Sequence, residues 1–105
     1  MGTTKKELFT ESQNRLAALA KAIAHPARVA ILQYLATSNK CVCGDIVEEL
    51  PLSQSTVSQH LKELKKVGLI HGDIEGTSIC YCINAKVMEE ARMILGQFFT
   101  KVNCC

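Results

Sequence analysis

The sequence lacks a long apolar run near its amino terminus. Charged side chains interrupt the hydrophobic positions of the first 32 residues, at Glu7, Glu11, Lys21 and Arg28. A secretory leader needs an apolar segment of roughly 7–15 residues, and a membrane-spanning helix needs about 20. The segment therefore fits neither class, and the sequence predicts a soluble, cytoplasmic protein with no membrane partner.

A strong charge of one sign is also missing. Twelve basic and ten acidic residues leave a formal net charge of +2. A protein that binds polyanions through bulk charge would be far more basic, so any nucleic-acid binding has to come from a local surface. Repeats, low-complexity tracts and linkers are absent too, and the 105 residues are interpreted as one domain, 1–105.

Cysteine, by contrast, is abundant. The chain contains six, at Cys41, Cys43, Cys80, Cys82, Cys104 and Cys105. Disulfides are rare in chains that are not secreted, so metal binding or thiol chemistry is the favoured interpretation over disulfide bonding.

Apolar periodicity and turn signals divide the chain into six elements. They are a helix over 5–24, a second from Pro26 to about 37–39, a short third at about 45–50, a fourth from the N-cap Ser53 to Val67, a hairpin over 69–83 and a last helix over 85–101. Gly68 stops the fourth helix, and Glu75-Gly76 is a turn signal. The predicted fold class is mainly α with a β-hairpin wing. It is a winged helix-turn-helix in the order ααααββα, with the helix-turn-helix over 41–67 and the wing over 69–83.

The first and last helices carry apolar stripes that are wider than one small domain easily covers. In the last helix the stripe comprises Val87, Met88, Ala91, Ile94, Leu95, Phe98 and Phe99. These stripes either complete an intramolecular core or form the interface of a homodimer. We favour the homodimer, with 5–24 and 85–101 as dimerisation helices and 102–105 as a cysteine-containing tail.

The helix that begins after Ser53 has the residue types of a DNA-recognition helix. A step of 100° per residue places Leu61 and Leu64 on the same side as Val57. The opposite side offers hydroxyl, amide and ammonium groups, which bond phosphates and base edges in a major groove. The candidate DNA-binding residues are Gln54, Ser55, Thr56, Ser58, Gln59, His60 and Lys62, among which His60 lies nearer the buried side and is interpreted as packing or contacting the DNA backbone. The alternative is an ordinary solvated helix face.

Three segments together resemble the ArsR/SmtB family of bacterial metal-sensing repressors. They are HPARVAILQYL, CVCGDIVEEL and LSQSTVSQHLKELKKVGLIHGDIEG, and the resemblance extends from about Leu16 to Phe99. The resemblance implies a homodimer that binds palindromic double-stranded operator DNA without a cofactor and leaves it when an inducer binds. It implies no catalytic residues and no enzymatic activity.

The resemblance also assigns Cys41 and Cys43 as metal ligands, because thiolate-type sensors of the family carry a CVC followed by Asp here. The alternative is two small buried hydrophobic residues. Gly44 appears as an insertion that displaces the pair into the loop before the short helix. Cysteines that cadmium and lead sensors add from the amino-terminal arm have no counterpart, since residues 1–40 contain none. The family's zinc site on the last helix is rejected, because 85–101 has no histidine.

A sulfur-only set of ligands favours As(III) or Sb(III), which three thiolates satisfy. Cys104 or Cys105 in the tail is the candidate third ligand, whereas Cys80 and Cys82 are interpreted as small residues that fill a strand. A second thiol site there stays open. The predicted function is a repressor that releases its operator on binding this inducer. The same fold could instead sense Cd(II), Pb(II) or thiol oxidation, and a thiol-exchange or metal-delivery protein is a remote alternative.

Overall fold

The computed structural model of the chain describes residues 6–38, 41–43, 46, 50–76 and 78–102. The elements are a short 3₁₀ helix (Lys6–Leu8), α1 (Glu11–Ala22), α2 (Pro26–Thr37), β1 (Val42–Cys43), α3 (Gln54–Lys66), β2 (Ile70–Glu75), β3 (Ser78–Ile83) and α4 (Ala85–Lys101). The short helix predicted at about 45–50 lies mostly outside the described residues. Within it, Ile46 is helical and buried in the core.

The predicted helix over 5–24 is wrong in its first part, because Thr10 caps a new helix. The Thr10 hydroxyl accepts a hydrogen bond from the backbone N–H of Gln13, and the Gln13 side chain accepts one from the N–H of Thr10, both at 3.0 Å. This reciprocal capping box satisfies two N–H groups at the start of α1. Apolar spacing continues across the cap and therefore does not reveal the break.

The second predicted helix is confirmed as α2. His25 caps it, with Nδ1 accepting a hydrogen bond from the N–H of Ala27 at 3.0 Å, and Pro26 occupies the first helical position. Proline suits that position because its missing N–H would have no partner inside the helix.

The predicted fourth and last helices are confirmed as α3 and α4. Ser53 caps α3 by accepting a hydrogen bond from the N–H of Thr56 at 3.3 Å. Gly68 then ends the helix with a φ of +90°, a backbone conformation that favours glycine. Leu69 is the one residue between Gly68 and strand β2, so α3 and the wing are joined by a short turn.

The wing is part of a three-stranded antiparallel sheet in the order β1-β3-β2. Strands β2 and β3 form the predicted hairpin about Gly76, which has a φ of +63°. The sequence did not predict β1, whose residues Val42 and Cys43 pair with Tyr81 and Cys80. Two residues are too few for a period-two pattern, so this strand exists only through its tertiary partner.

One hydrophobic core holds α3 against the rest of the domain. Its most buried members are Leu19, Ile31, Val57, Leu64, Leu69 and Ile70, contributed by α1, α2, α3 and the start of the wing. At the other end of the molecule α1 and α4 are joined by a bidentate ion pair. The Arg15 guanidinium donates to both carboxylate oxygens of Glu90, at 2.9 and 3.1 Å.

Candidate functional site

Helix α3 presents its polar side to solvent. Val57 and Leu64 are 0% exposed and Leu61 is buried beside them, as the sequence predicted. The exposed residues of the helix are Gln54, Ser55, Thr56, Ser58, Gln59, Lys62, Lys65 and Lys66. Every candidate DNA-binding side chain except His60 is therefore accessible, and most have the short hydroxyl or amide groups that bond base edges and phosphates.

A cluster of hydroxyls surrounds the amino-terminal end of α3. The Ser53 hydroxyl donates to Thr56 Oγ1 at 2.9 Å and lies 3.2 Å from Ser55 Oγ. Unpaired backbone N–H groups and the helix dipole make such an end favourable for a phosphate. The cluster can hold a phosphate while Gln59, one turn further along the helix, offers its amide to a base.

His60 lies inside the protein, unlike the other candidate DNA-binding residues. Its side chain is 8% exposed, and its ring lies 4.3 Å from that of His25 between centroids. His60 Nδ1 accepts a hydrogen bond from Arg28 Nε at 3.0 Å. The packing role that its angular position predicted is thus the one it has.

Arg28 connects three helices, a role that the sequence did not predict. While Nε donates to His60 on α3, Nη1 donates to the carbonyl oxygen of Ala22 at the end of α1, at 3.2 Å. A second, longer bond of 3.4 Å reaches the carbonyl of Lys21. The only signal in the sequence is a cation among apolar positions of α2. These bonds fix how α3 sits on α1 and α2.

The same surroundings favour the neutral form of His60. Burial lowers the pKa of its imidazole below the ordinary value, and the neighbouring charges of His25 and Arg28 lower it further. A neutral imidazole keeps Nδ1 available as an acceptor for Arg28.

The wing contributes a sulfur atom that the sequence interpretation had assigned to packing. Cys82 on β3 forms a disulfide with Cys41, with their Cα atoms 4.4 Å apart. Cys80 is 2% exposed and is also disulfide-bonded. The interpretation of Cys82 as a small strand-filling residue is therefore wrong, and the disulfide bonding that the sequence analysis placed behind metal binding and thiol chemistry is present at Cys41 and Cys82. One signal in the sequence could have revealed the pairing. Both segments, 41–43 and 80–82, have the spacing Cys-x-Cys, so an antiparallel pairing of the two brings their cysteines opposite one another.

The predicted ligands are thus only partly brought together. Cys41 meets Cys82, and Cys43 lies in strand β1 opposite Cys80 in register, so the predicted loop location of Cys43 is wrong. Cys104 and Cys105 lie outside the described residues. Asp73 is the neighbouring carboxylate: its oxygen and the sulfurs of Cys41 and Cys82 all lie within 4.8 Å of one another.

The carboxylate of Asp73 also faces a histidine on its own strand. His71 Nδ1 lies 3.5 Å from Asp73 Oδ2, and both side chains are largely exposed. Together with the cysteines, this side of the sheet carries sulfur, carboxylate and imidazole groups, which are the ligand types that proteins use for soft and intermediate metal ions.

Apolar side chains are exposed near the 3₁₀ helix and along the second half of α4. They are Leu8, Phe9, Met93, Phe98, Phe99 and Val102. Phe99 is 70% exposed and packs edge-on against Phe98, with ring centroids 5.3 Å apart. All of these residues except Val102 belong to the two segments that were predicted to dimerise. None of the helices among the described residues is long and apolar enough to cross a membrane.

Known proteins resemble this chain in both sequence and structure. Residues 25–71, which contain α2, β1, α3 and the start of β2, match the family described as bacterial regulatory protein, arsR family. An uncharacterised HTH-type transcriptional regulator of Methanocaldococcus jannaschii is 36% identical over 86 residues, 80% of this chain and 96% of that protein. The HTH-type transcriptional repressor SmtB of Mycobacterium tuberculosis is 41% identical over 63 residues, which cover 60% of this chain and 46% of the repressor.

Two solved structures share the fold. A possible transcriptional regulator for arsenical resistance has a TM-score of 0.69 and 25% identity, and the alignment covers 77% of this chain and 83% of that one. The homodimeric winged helix-turn-helix DNA-binding domain of a possible ArsR-family regulator from Mycobacterium bovis has a TM-score of 0.67 and 28% identity, over 94% of this chain and 88% of that one. The described part of the fold, the three segments quoted above and these similarities agree. The chain belongs to the ArsR/SmtB family of winged helix-turn-helix transcriptional regulators.

Proposed function

We propose that this chain is a homodimeric cytoplasmic repressor that holds a palindromic operator through α3 and releases it when As(III) or Sb(III) binds cysteine thiolates. The observation that carries the proposal is the division of α3 into a buried apolar side, centred on Val57, and an outer side of exposed polar groups. The Ser53 hydroxyl, which caps this helix, also lies beside its exposed amino-terminal end, and the Arg28–His60 bond adds to the packing that holds the helix in place.

The outer side of α3 divides by chemistry into two kinds of DNA contact. Gln54, Ser55 and Thr56 surround the helix start and are assigned to phosphates, with Lys62 adding a charged contact. Ser58 and Gln59 are assigned to base edges, where glutamine pairs bidentately with adenine. No cofactor takes part in DNA binding in this proposal.

The contact between Lys62 and a DNA phosphate can be tested with a single substitution. We expect Lys62→Ala to weaken binding to operator and to unrelated DNA alike, and to lower the slope of log affinity against log salt by about 2, since the dimer loses one phosphate contact in each protomer. Fluorescence anisotropy with labelled duplexes at several salt concentrations measures both. Lys86→Ala, an exposed lysine on α4, is the matched control; an equal effect of both variants would contradict the assignment.

Thiophilic induction is supported by the meeting of cysteines from two segments beside the helix-turn-helix. Soft thiolates select soft ions, and a trivalent arsenic or antimony centre is satisfied by three of them. Induction requires the ion to favour a dimer geometry in which the two α3 helices no longer match successive major grooves. Coupling of that kind is typically about 1–3 kcal/mol, or roughly 5–150-fold in affinity.

The experiment is a titration of the reduced protein–operator complex with As(III), Sb(III), Cd(II), Zn(II) and polysulfide in separate series. We expect As(III) and Sb(III) to weaken operator affinity by at least about fivefold. The proposal is wrong if neither ion changes the affinity, or if Cys41→Ser remains fully inducible.

The Cys41–Cys82 disulfide favours a second candidate, in which thiol oxidation is the signal. In that case peroxide or polysulfide would change operator affinity and arsenite would not. The same set of titrations separates the two candidates, because each predicts a response to a different reagent.

A further inference from the structure

We propose that the inducer site is shared between strand β1 and the wing, with Cys41, Cys43 and Cys82 as its three thiolates and without the carboxy-terminal tail. This inference rests on the proposed function for the identity of the ion. It differs from that proposal in the ligand set, since Cys82 takes the place that the sequence assigned to Cys104 or Cys105.

The backbone, and not only the disulfide, brings Cys41 and Cys82 together. Val42 pairs with Tyr81 and Cys43 with Cys80, and continuing this register by one residue sets Cys41, which immediately precedes β1, opposite Cys82. The Cα separation of 4.4 Å is that of directly opposed residues in a non-hydrogen-bonded pair. The two thiols therefore remain neighbours after reduction for as long as β1 stays paired.

The two cysteines of the wing, Cys80 and Cys82, differ in their exposure to solvent. Cys41 is exposed and Cys82 half-buried, so a reductant and an ion can reach them from solvent. Cys80 is 2% exposed and sits in the interior. Residues two apart in a strand lie on one face, which places Cys43 on the face of Cys41. Cys41 and Cys82 are therefore the thiols that a solvent-borne ion can reach, and Cys43, two residues from Cys41, is the neighbour that we assign as the third ligand.

Binding requires two balanced steps. In the first, two molecules of a monothiol reductant supply two electrons and two protons to the Cys41–Cys82 disulfide, which becomes two thiols while the reductant becomes its own disulfide. The disulfide in which Cys80 takes part is reduced in the same way. In the second, three thiols replace the three hydroxyls of As(OH)₃, so that three As–S bonds form, three As–O bonds break, and each hydroxyl leaves as water with one thiol proton. Arsenic stays trivalent throughout, and the oxidised protein cannot bind it.

An ion at this location would be connected to α3 through the chain segments on both sides of that helix. Strand β1 precedes the helix-turn-helix, whereas β3 belongs to the wing, whose other strand follows α3 after the turn at Gly68. An ion held between β1 and β3 would pull on both ends of the segment that contains α3. A site formed with the tail would act through α4 instead.

Asp73 provides a way to identify the ion class. Its carboxylate lies within 4.8 Å of both sulfurs and would be a suitable fourth ligand for a divalent ion such as Cd(II). A pyramidal As(III) centre is complete with three thiolates. We therefore expect Asp73→Asn to leave arsenite binding unchanged.

The test compares Cys82→Ser with a double Cys104→Ser/Cys105→Ser variant, both as reduced full-length protein titrated with sodium arsenite. Binding is followed by the near-ultraviolet thiolate-to-arsenic absorbance, and release by operator anisotropy. We expect Cys82→Ser to lose the absorbance change and to keep its operator affinity within about twofold on adding arsenite, while the tail variant releases DNA at least about fivefold like the wild type.

The outcomes separate the ligand set from the function. If the tail variant loses both the absorbance change and operator release while Cys82→Ser keeps them, Cys82 is not a ligand. Arsenic induction itself would then still hold. Binding in the wild type without operator release would overturn the proposed function, while the absorbance series would still decide the ligand set. A weakening of arsenite binding by Asp73→Asn would overturn the trithiolate site. Operator affinity of each variant without arsenite, together with its thermal unfolding, confirms that it is folded.

Discussion

At the scale of single residues, one partly buried hydrogen bond adds to the core packing that positions the recognition helix. Arg28 Nε donates to His60 Nδ1, and Nη1 of the same guanidinium bonds carbonyl oxygens at the end of α1. The last carbonyls of a helix lack the usual partner four residues further on, so Arg28 bonds the end of α1 and contacts α3 with one side chain. A protonated His60 could no longer accept from Arg28.

The free energy of unfolding should therefore depend on pH through His60. The folded pKa of His60 lies below the unfolded value of about 6.5, so its contribution is fully present above pH ~6.5 and is lost as the pH falls through the lower folded pKa. We expect the melting temperature of the wild type to fall as the pH is lowered below about 6.5. The decline should be smaller in His60→Asn, which does not titrate and can still accept a hydrogen bond.

Thermal unfolding between pH 8 and 5 measures this dependence. His71→Asn, which replaces an exposed histidine on the wing, is the matched control. An equal decline in wild type and His60→Asn, or flattening of the profile by His71→Asn instead, would contradict the assignment to His60.

At the scale of elements, the turn between α3 and β2 couples the recognition helix to the wing. Gly68 has a φ of +90° and lies against α4, where an added Cβ would meet Val87 Cγ2 at 3.4 Å. The backbone conformation therefore favours glycine, whereas the contact with α4 would be an ordinary van der Waals one. The wing strand starts two residues later, so its direction is set by this turn.

We expect Gly68→Ala to lower the free energy of unfolding by about 1–2 kcal/mol, because a side chain in the left-handed region carries that cost. Chemical denaturation measures it. The control is Gly76→Asn at the tip of the wing, where φ is +63° and an added Cβ meets nothing within 4 Å. Asparagine tolerates this conformation, so little change is expected there. An undiminished stability of Gly68→Ala would show that the turn adapts to a side chain.

At the scale of the whole molecule, exposed apolar side chains gather on the two segments that were predicted to dimerise. Leu8, Phe9, Phe98 and Phe99 are all more than two-fifths exposed. Exposed apolar groups that cluster in this way mark interaction surfaces. The Arg15–Glu90 ion pair holds α1 and α4 together as one unit that a second copy could contact.

We expect Phe99→Asp to raise the dimer dissociation constant at least about tenfold, since an aromatic anchor is replaced by a charge, and to weaken operator binding with it. Analytical ultracentrifugation measures the first effect and anisotropy the second. Ile74→Asp is the control for the loss of an exposed apolar residue, because Ile74 is 78% exposed on the wing, away from α1 and α4. A dimer that is unaffected by Phe99→Asp, or weakened equally by both variants, would contradict the assigned interface.

Local chemistry determined much of this protein. The cap at Ser53, the apolar spacing of Val57, Leu61 and Leu64, and the glycine at position 68 predicted α3 and its exposed side, because each acts within a few residues along the chain. The hairpin and α4 followed for the same reason. The same local signals also placed His60 towards the interior.

Tertiary structure alone decided which distant groups meet. Strand β1 is too short to have a pattern of its own, and it forms because β3 offers an unpaired edge. That pairing brings Cys41 to Cys82, 41 residues away in sequence, and overturned the interpretation of Cys82 as a packing residue. Arg28 and His60 are 32 residues apart and meet only because α2 and α3 pack together. Contacts between separate elements depend on how those elements are arranged in space, which no local pattern reports.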